Sequence, residues 1–155
     1  MKKILVIEDD NLIRETVLEL LESRGFEAVG AENGKVGIQL AAQIPDLILS
    51  DVMMPELDGF EVFAALRSHP ATASIPFIFM TASEMEKAVE LKADGYLKKP
   101  CSVVQMLGAI ATQLEKLTVA NPKYQKVQDN SAPSNLSLRA RNQKSRFEIV
   151  SVCWQ

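Results

Sequence analysis

The stretch that decides the fold is Leu47-Ile48-Leu49-Ser50-Asp51, followed by Val52-Met53-Met54-Pro55-Glu56-Leu57-Asp58-Gly59. A short apolar run bounded by turn residues reads as a buried strand. This one ends in a carboxylate, so burial is spent on positioning one charge. Two other apolar runs also end in charge. Ile4-Leu5-Val6-Ile7 runs into Glu8-Asp9-Asp10, and Gly95-Tyr96-Leu97 runs into Lys98-Lys99-Pro100. If these strands lie parallel in one sheet, their charged ends meet at one edge.

Working outward, the apolar runs at 3–7, 26–30, 47–50, 75–80 and 95–97 predict five strands. Helical periods lie between them. Ile13, Val17, Leu20 and Leu21 mark a first helix, capped by Asp10 or Asn11 and stopped at Arg24-Gly25, where Gly25 is free to take positive φ. Val36, Leu40 and Ile44 predict a second stripe, and Phe60, Phe63 and Leu66 a third. Met85, Ala88 and Val89 predict a short fourth. Val103, Leu107, Ile110, Leu114 and Leu117 predict a long fifth, opened by Ser102. Strands that each precede a helix imply a parallel sheet covered on both faces. In such sheets a ligand sits outside the carboxyl ends of the strands. Those ends carry Glu8-Asp9, Asp51, Thr81 and Lys99.

Composition is that of an ordinary soluble domain, with 47% hydrophobic and 24% charged residues among 155. Charge divides the chain near Thr118. Residues 1–117 carry 11 Lys+Arg against 18 Asp+Glu, net −7, and residues 118–155 carry 6 against 2, net +4. The acidic body argues against nucleic acid as its direct partner. The polar, aperiodic 118–155 reads as a flexible basic tail, apart from an apolar segment over Phe147 to Trp154. The N-terminal apolar stretch is too short for a secretory signal, and no stretch reaches membrane-spanning length. Cys101 and Cys153 are too few for a disulfide framework. These features predict a cytoplasmic protein.

The charged edge suits phosphoryl chemistry. Mg²⁺ prefers oxygen ligands and takes one or two carboxylates plus a phosphate oxygen. Asp9 and Asp51 meet that need, with Glu8 acting through a water. A carboxylate can itself attack phosphorus, and the phosphoryl oxygens then require a cation and a hydroxyl, supplied by Lys99 and Thr81. Taken singly these residues have plainer readings. A strand-end Asp often serves only as a helix cap, Thr81 as a turn hydroxyl, and Tyr96 as a half-buried aromatic. Met53, Met54 and Met80 read first as packing. Alternation sends Lys98 and Lys99 to opposite sides, leaving open which one serves the edge. His69, the only histidine, precedes Pro70 in a surface loop.

Together, Glu8-Asp9, Asp51, Met54-Pro55, Asp58-Gly59, Thr81-Ala82 and Lys99-Pro100 resemble the receiver domain of two-component response regulators over about residues 2–117. The resemblance implies a flavodoxin-like (βα)5 three-layer sandwich with strand order 2-1-3-4-5. It implies Asp51 as phosphoacceptor and Asp9, Asp51 and the Met53 backbone carbonyl as ligands to Mg²⁺ or Mn²⁺, with Glu8 as the outer ligand. Thr81 and Lys99 would bind the phosphoryl group, Lys99 being chosen because the family's lysine directly precedes its proline, usually across a cis bond. Tyr96 would be the switch aromatic. Met53 and Ser83 would set the hydrolysis rate. The donor would be a histidine kinase, a histidine phosphotransfer protein or a small acyl phosphate. The face of helix 4, strand 5 and helix 5 would bind a downstream protein or a second copy. The chain would be a phosphoacceptor rather than an enzyme.

Three departures stand out. The segment from Thr81 to Tyr96 is about one helical turn shorter than usual, so the fourth helix should be clipped. Lys92 replaces the usual Gly before strand 5, and Cys101 replaces the usual Phe after Lys-Pro. They motivate an alternative, a phosphorylation-independent scaffold of the same fold. A flavodoxin-like enzyme is disfavoured, because the acidic Glu8-Asp9-Asp10-Asn11 turn would repel a cofactor phosphate. A DNA-binding regulator is disfavoured because 118–155 is short for an effector domain and shows no helix-turn-helix period.

Overall fold

The strand and helix patterns alternate strictly along the chain. The structure, a computed structural model, describes residues 1–120, with side-chain burial described through 117. Residues 118–120, expected as the start of the tail, continue the last helix; the rest of the expected tail lies outside the described residues, as does the apolar segment at 147–154. The elements run β1 (Lys3–Ile7), α1 (Asn11–Ser23), β2 (Glu27–Ala31), α2 (Gly34–Ala41) and β3 (Leu47–Asp51). They continue with α3 (Gly59–Ser68), β4 (Phe77–Thr81), α4 (Met85–Glu90), β5 (Gly95–Lys98) and α5 (Val103–Ala120). All five strands pair in parallel in the order β2-β1-β3-β4-β5. This is the flavodoxin-like sandwich, with α4 at six residues the shortest helix.

The side-chain period of two explains why the central strands are apolar throughout. Ile4, Val6, Leu47, Leu49, Ile78 and Met80 pack towards α1 and α5, with Val17, Leu21, Met106 and Ile110. Leu5, Ile7, Ile48, Phe77 and Phe79 pack on the other face, with Phe60, Phe63 and Leu66 of α3 and Ala88 of α4. Phe63 lies 5.2 Å from Phe77 and 5.4 Å from Phe79, ring centroid to centroid.

Four of the five described helices, all but α4, are capped at their N-termini by side chains beside the carboxyl edge of the sheet. Asp10 accepts from the Ile13 amide at 3.0 Å, Asn33 from Val36 at 2.9 Å, and Ser102 from Gln105 at 3.1 Å. Asp58 and Glu61 form a reciprocal capping box at α3. Gly25 takes φ 85°, as the stop after Arg24 requires.

Several local expectations fail. Ile44 is not on the α2 stripe: the helix ends at Ala41, and Ile44 is 52% exposed at φ 54°. The following Pro45 disfavours right-handed helix at Ile44. Val89 is 50% exposed because six residues of α4 make too few turns to bury more than the Met85–Ala88 side. β4 starts at Phe77 rather than 75, since Pro76 has no amide for the ladder. Met54 and Met80 are buried as packing residues, but Met53 is 66% exposed. Lys92 adopts φ 55° after α4 despite its Cβ.

Candidate functional site

Parallel pairing places the ends of β1, β3, β4 and β5 side by side. Ile7 stands opposite Ser50, Asp51 opposite Met80, and Thr81 opposite Lys98. One residue beyond β1 come Glu8 and then Asp9, and one residue beyond β5 comes Lys99. The Lys99 amide donates to the Thr81 carbonyl at 2.9 Å, extending that ladder to the edge.

Asp51 and Glu8 are buried, while Asp9 is exposed. One carboxylate oxygen from each lies within 4.8 Å of the other two. The Lys99 ammonium stands between the buried pair, 3.1 Å from Glu8 Oε2 and 3.2 Å from Asp51 Oδ1. Lys98 is exposed, so only Lys99 faces the acids. The Lys99–Pro100 bond is cis. Asp51 Oδ1 also accepts from the Val52 amide at 2.8 Å, and Glu8 Oε1 from the Asp10 amide at 3.1 Å. Asp10 turns away to cap α1 and does not join the group.

Burial, then the neighbouring Asp51 charge, push the Glu8 carboxyl up to about 7, against the pull of Lys99. Burial pulls the Lys99 ammonium down, but Asp51 and then Glu8 outweigh it and the net shift is upward. Burial acts on the two in opposite directions, whereas the Asp51 charge raises both. Three acids against one ammonium leave excess negative charge in a poorly solvated pocket, which a further positive charge would relieve. An all-oxygen donor set with excess negative charge fits a hard divalent cation.

The remaining expected residues lie around this group. Thr81 is buried, and its hydroxyl accepts from the Glu84 amide at 3.0 Å. Tyr96 is half-buried against the α3-side core, with its hydroxyl donating to the Ala93 carbonyl at 3.0 Å. By alternation Thr81 and Tyr96 project to the same sheet face. Met53 and Ser83 are exposed in the β3–α3 and β4–α4 turns. Gly59 closes on the site from below. Its amide donates to the Val52 carbonyl at 2.9 Å, and a Cβ there would lie 2.2 Å from the Asp51 carbonyl oxygen.

Two contacts carried no signal in the sequence. Arg14 of α1 reaches back to donate to the Glu8 carbonyl at 2.8 Å. Lys87 of α4 lies 4.4 Å over the Phe60 ring of α3. Either would have required knowing how the helices pack across the sheet.

A parallel five-stranded sheet with an acid group and a lysine at its carboxyl edge defines the receiver class of α/β proteins. The chain belongs to the response-regulator family: the model described as "Response regulator receiver domain" matches residues 4–111. It is 34% identical over 158 residues to "Probable transcriptional regulator ycf29" of Pyropia yezoensis, covering 96% of this chain and 69% of that protein. It is 38% identical to "DNA-binding dual master transcriptional regulator RpaA" of a Synechocystis species, covering 75% of this chain and 50% of that one. Among solved structures it resembles the chemotaxis response regulator CheY4 of Vibrio cholerae at 30% identity and a TM-score of 0.67, covering 73% of this chain and 98% of the other. The chain thus spans only half the length of the Synechocystis regulator. Among the described residues no helix is long and apolar enough to cross a membrane.

Proposed function

We propose that this receiver domain is a phosphoryl switch whose acceptor is Asp51. The observation that carries the reading is the group of Glu8, Asp9 and Asp51 oxygens within 4.8 Å, with Lys99 reaching both buried acids. Asp9, Asp51 and the Met53 carbonyl would hold Mg²⁺ or Mn²⁺, with Glu8 acting through a water. The ion supplies charge neutralisation for the incoming phosphoryl oxygens. An Asp51 carboxylate oxygen forms the new bond to phosphorus as the bond to the donor breaks. The donor's leaving group, the imidazole of a phosphohistidine or the carboxylate of an acyl phosphate, departs with the bonding pair. Lys99 then exchanges part of its pairing with Asp51 for the phosphoryl oxygens, and the Thr81 hydroxyl donates to them.

The donor is a histidine kinase or a histidine phosphotransfer protein. As Thr81 is drawn towards the phosphoryl group, Tyr96 moves on the same face, and the α4–β5–α5 surface shifts towards a state that a downstream protein, or a second copy, binds better. The receiver spans 1–117 and the basic tail 118–155, and the chain works in the cytoplasm. The relatives' names speak of transcription and DNA binding. The net −7 of residues 1–117 argues against DNA contact by the receiver itself. Exposed, apolar Met53 cannot orient a water, so the phosphoryl group should persist for longer than seconds.

The test is acetyl phosphate with Mg²⁺, read by intact mass. One acid-labile phosphoryl group is expected on the native chain and none on Asp51→Asn; equal uptake by the variant would refute the assignment. A scaffold that ignores phosphorylation draws support from the short α4 and the strained Lys92. Beryllofluoride with Mg²⁺ separates the two, since only a switch moves amide resonances around Tyr96.

A further inference from the structure

Asp9 is the exposed member of the acid group, and among the described residues its carboxylate has no hydrogen-bond or ion-pair partner. Its position is therefore set by its backbone. The Glu8 carbonyl and the Asp9 amide belong to one planar peptide unit, and the Arg14 guanidinium binds that carbonyl at 2.8 Å. The other arm of the same guanidinium donates to Asn11 Oδ1 at 2.6 Å, and the Arg14 amide donates to the Asp10 carbonyl at 2.9 Å. Arg14 thus grips the β1–α1 turn at both its ends.

A second observation shows that the sheet accommodates this grip. Gly30 of β2 lies under the Arg14 stem: a Cβ there would stand 3.0 Å from Arg14 Cδ, 3.3 Å from Cγ and 2.9 Å from Leu18 Cδ1. Its φ is not in the left-handed region, so backbone conformation does not demand glycine. What the missing side chain leaves is room for two α1 side chains at once, Leu18 and the stem of Arg14.

We propose that Arg14 is a positioning residue for the cation site: it orients the Glu8–Asp9 peptide so that Asp9 meets Glu8 and Asp51, and Gly30 leaves room for its stem. The inference rests on the reading of these acids as a divalent-cation site. It also predicts a sign that simple electrostatics does not. Removing a positive charge beside three carboxylates should strengthen cation binding. Removing a positioning group should weaken it, and partners that orient metal ligands are typically worth about tenfold or more in affinity.

The experiment measures Mn²⁺ affinity of the full chain by the electron paramagnetic resonance of free Mn²⁺, for wild type, Arg14→Gln and Gly30→Ala. Amide hydrogen exchange at Asp9 and Asp10 is followed alongside. Arg14→Gln should weaken Mn²⁺ binding about tenfold and speed exchange in the turn. Gly30→Ala, which retains every donor and charge, should shift both in the same direction. Acetyl phosphate labelling should need more Mg²⁺ for half its maximal rate yet reach the wild-type plateau, which a general structural defect would not do. Unchanged or tighter binding by Arg14→Gln overturns the proposal. If Arg14→Gln fails to fold, wild-type affinity in Gly30→Ala overturns it. A wild-type chain that does not bind Mn²⁺ refutes the underlying cation site instead, and the proposal with it.

Discussion

Replacing Gly59 by Ala should damage the site through the backbone alone. The new Cβ would stand 2.2 Å from the Asp51 carbonyl oxygen and 2.9 Å from Val52 Cα, where ordinary contact begins at 3.4 Å. The deficit is about 1.2 Å, and neither atom belongs to a side chain that could rotate away. The hydrogen bond from the Gly59 amide to the Val52 carbonyl fixes this approach, so α3 must retreat from the end of β3. That retreat loosens Phe60 and Phe63 from Phe77 and Phe79. Overpacking of this kind costs about 1–3 kcal/mol, and a backbone clash belongs at the upper end. At roughly 4 °C per kcal/mol for a domain of this size, Tm should fall by about 8–12 °C. The same retreat disturbs the Val52 amide that holds Asp51 Oδ1, and a misplacement of about 1 Å can cost about 100-fold in rate. Calorimetry and the initial rate of acetyl phosphate labelling read the two effects. Gly108→Ala is the internal control: a Cβ added there would meet nothing within 4 Å beyond its chain neighbours and the helix's own backbone, so it should raise stability by about 0.5–1 kcal/mol and leave labelling unchanged. A Gly59→Ala protein that melts within about 1 °C of wild type and labels at the wild-type rate would refute the reasoning.

Three further outcomes are expected. Mg²⁺ at a hundredfold above its dissociation constant should add about 2.7 kcal/mol of stability, seen as a rising Tm across a titration, and Asp9→Asn should lose most of that rise. Ile44→Asn should stabilise the fold by about 1 kcal/mol in urea denaturation, because a β-branched residue at φ 54° is strained and this one is half exposed. Burial pushes the Cys101 thiol up, against the pull of Lys99. In a Cys153→Ser chain, iodoacetamide should therefore label Cys101 slowly until the protein unfolds. The sign of the linked stability follows: the unfolded thiol loses its proton first as pH rises, so this contribution is present at neutral pH and fades above the ordinary thiol range. Rapid native labelling at pH 8 would contradict it.

What was legible in the sequence was whatever depends on order along one strand. Leu47 to Asp51 reads as a buried strand ending in charge because the side-chain period is two and both faces are covered. The meeting of Glu8, Asp9, Asp51 and Lys99 then follows from parallel pairing. Caps were legible for the same local reason, as Asp10 and Ser102 act within three residues of themselves. What depends on packing across elements was not legible. Val89 fits the α4 stripe, yet the helix is too short to bury it. Ile44 is a different case: it fits a helical stripe by spacing, but the adjacent Pro45 was a local signal against helix there that spacing alone overrode. The choice between Lys98 and Lys99 needed the family pattern, since alternation gives two faces without saying which serves the edge. Arg14 was invisible because its partner is a backbone carbonyl, which every residue has.

The six residues of α4 have a thermodynamic consequence. Only Ala88 is fully enclosed, Glu84 provides no side-chain cap, and the exit passes through strained Lys92. Isolated helices shorter than about 12 residues are marginal in water. This element is therefore anchored by little more than Ala88, the Thr81 hydroxyl on the Glu84 amide, and Lys87 resting on Phe60. So few buried contacts predict a free energy of local opening below that of the sheet. Under the proposed switch, a helix anchored so lightly would answer a change at Thr81 by altering how often it is melted, so entropy, rather than a rigid displacement, would be the currency of its signal.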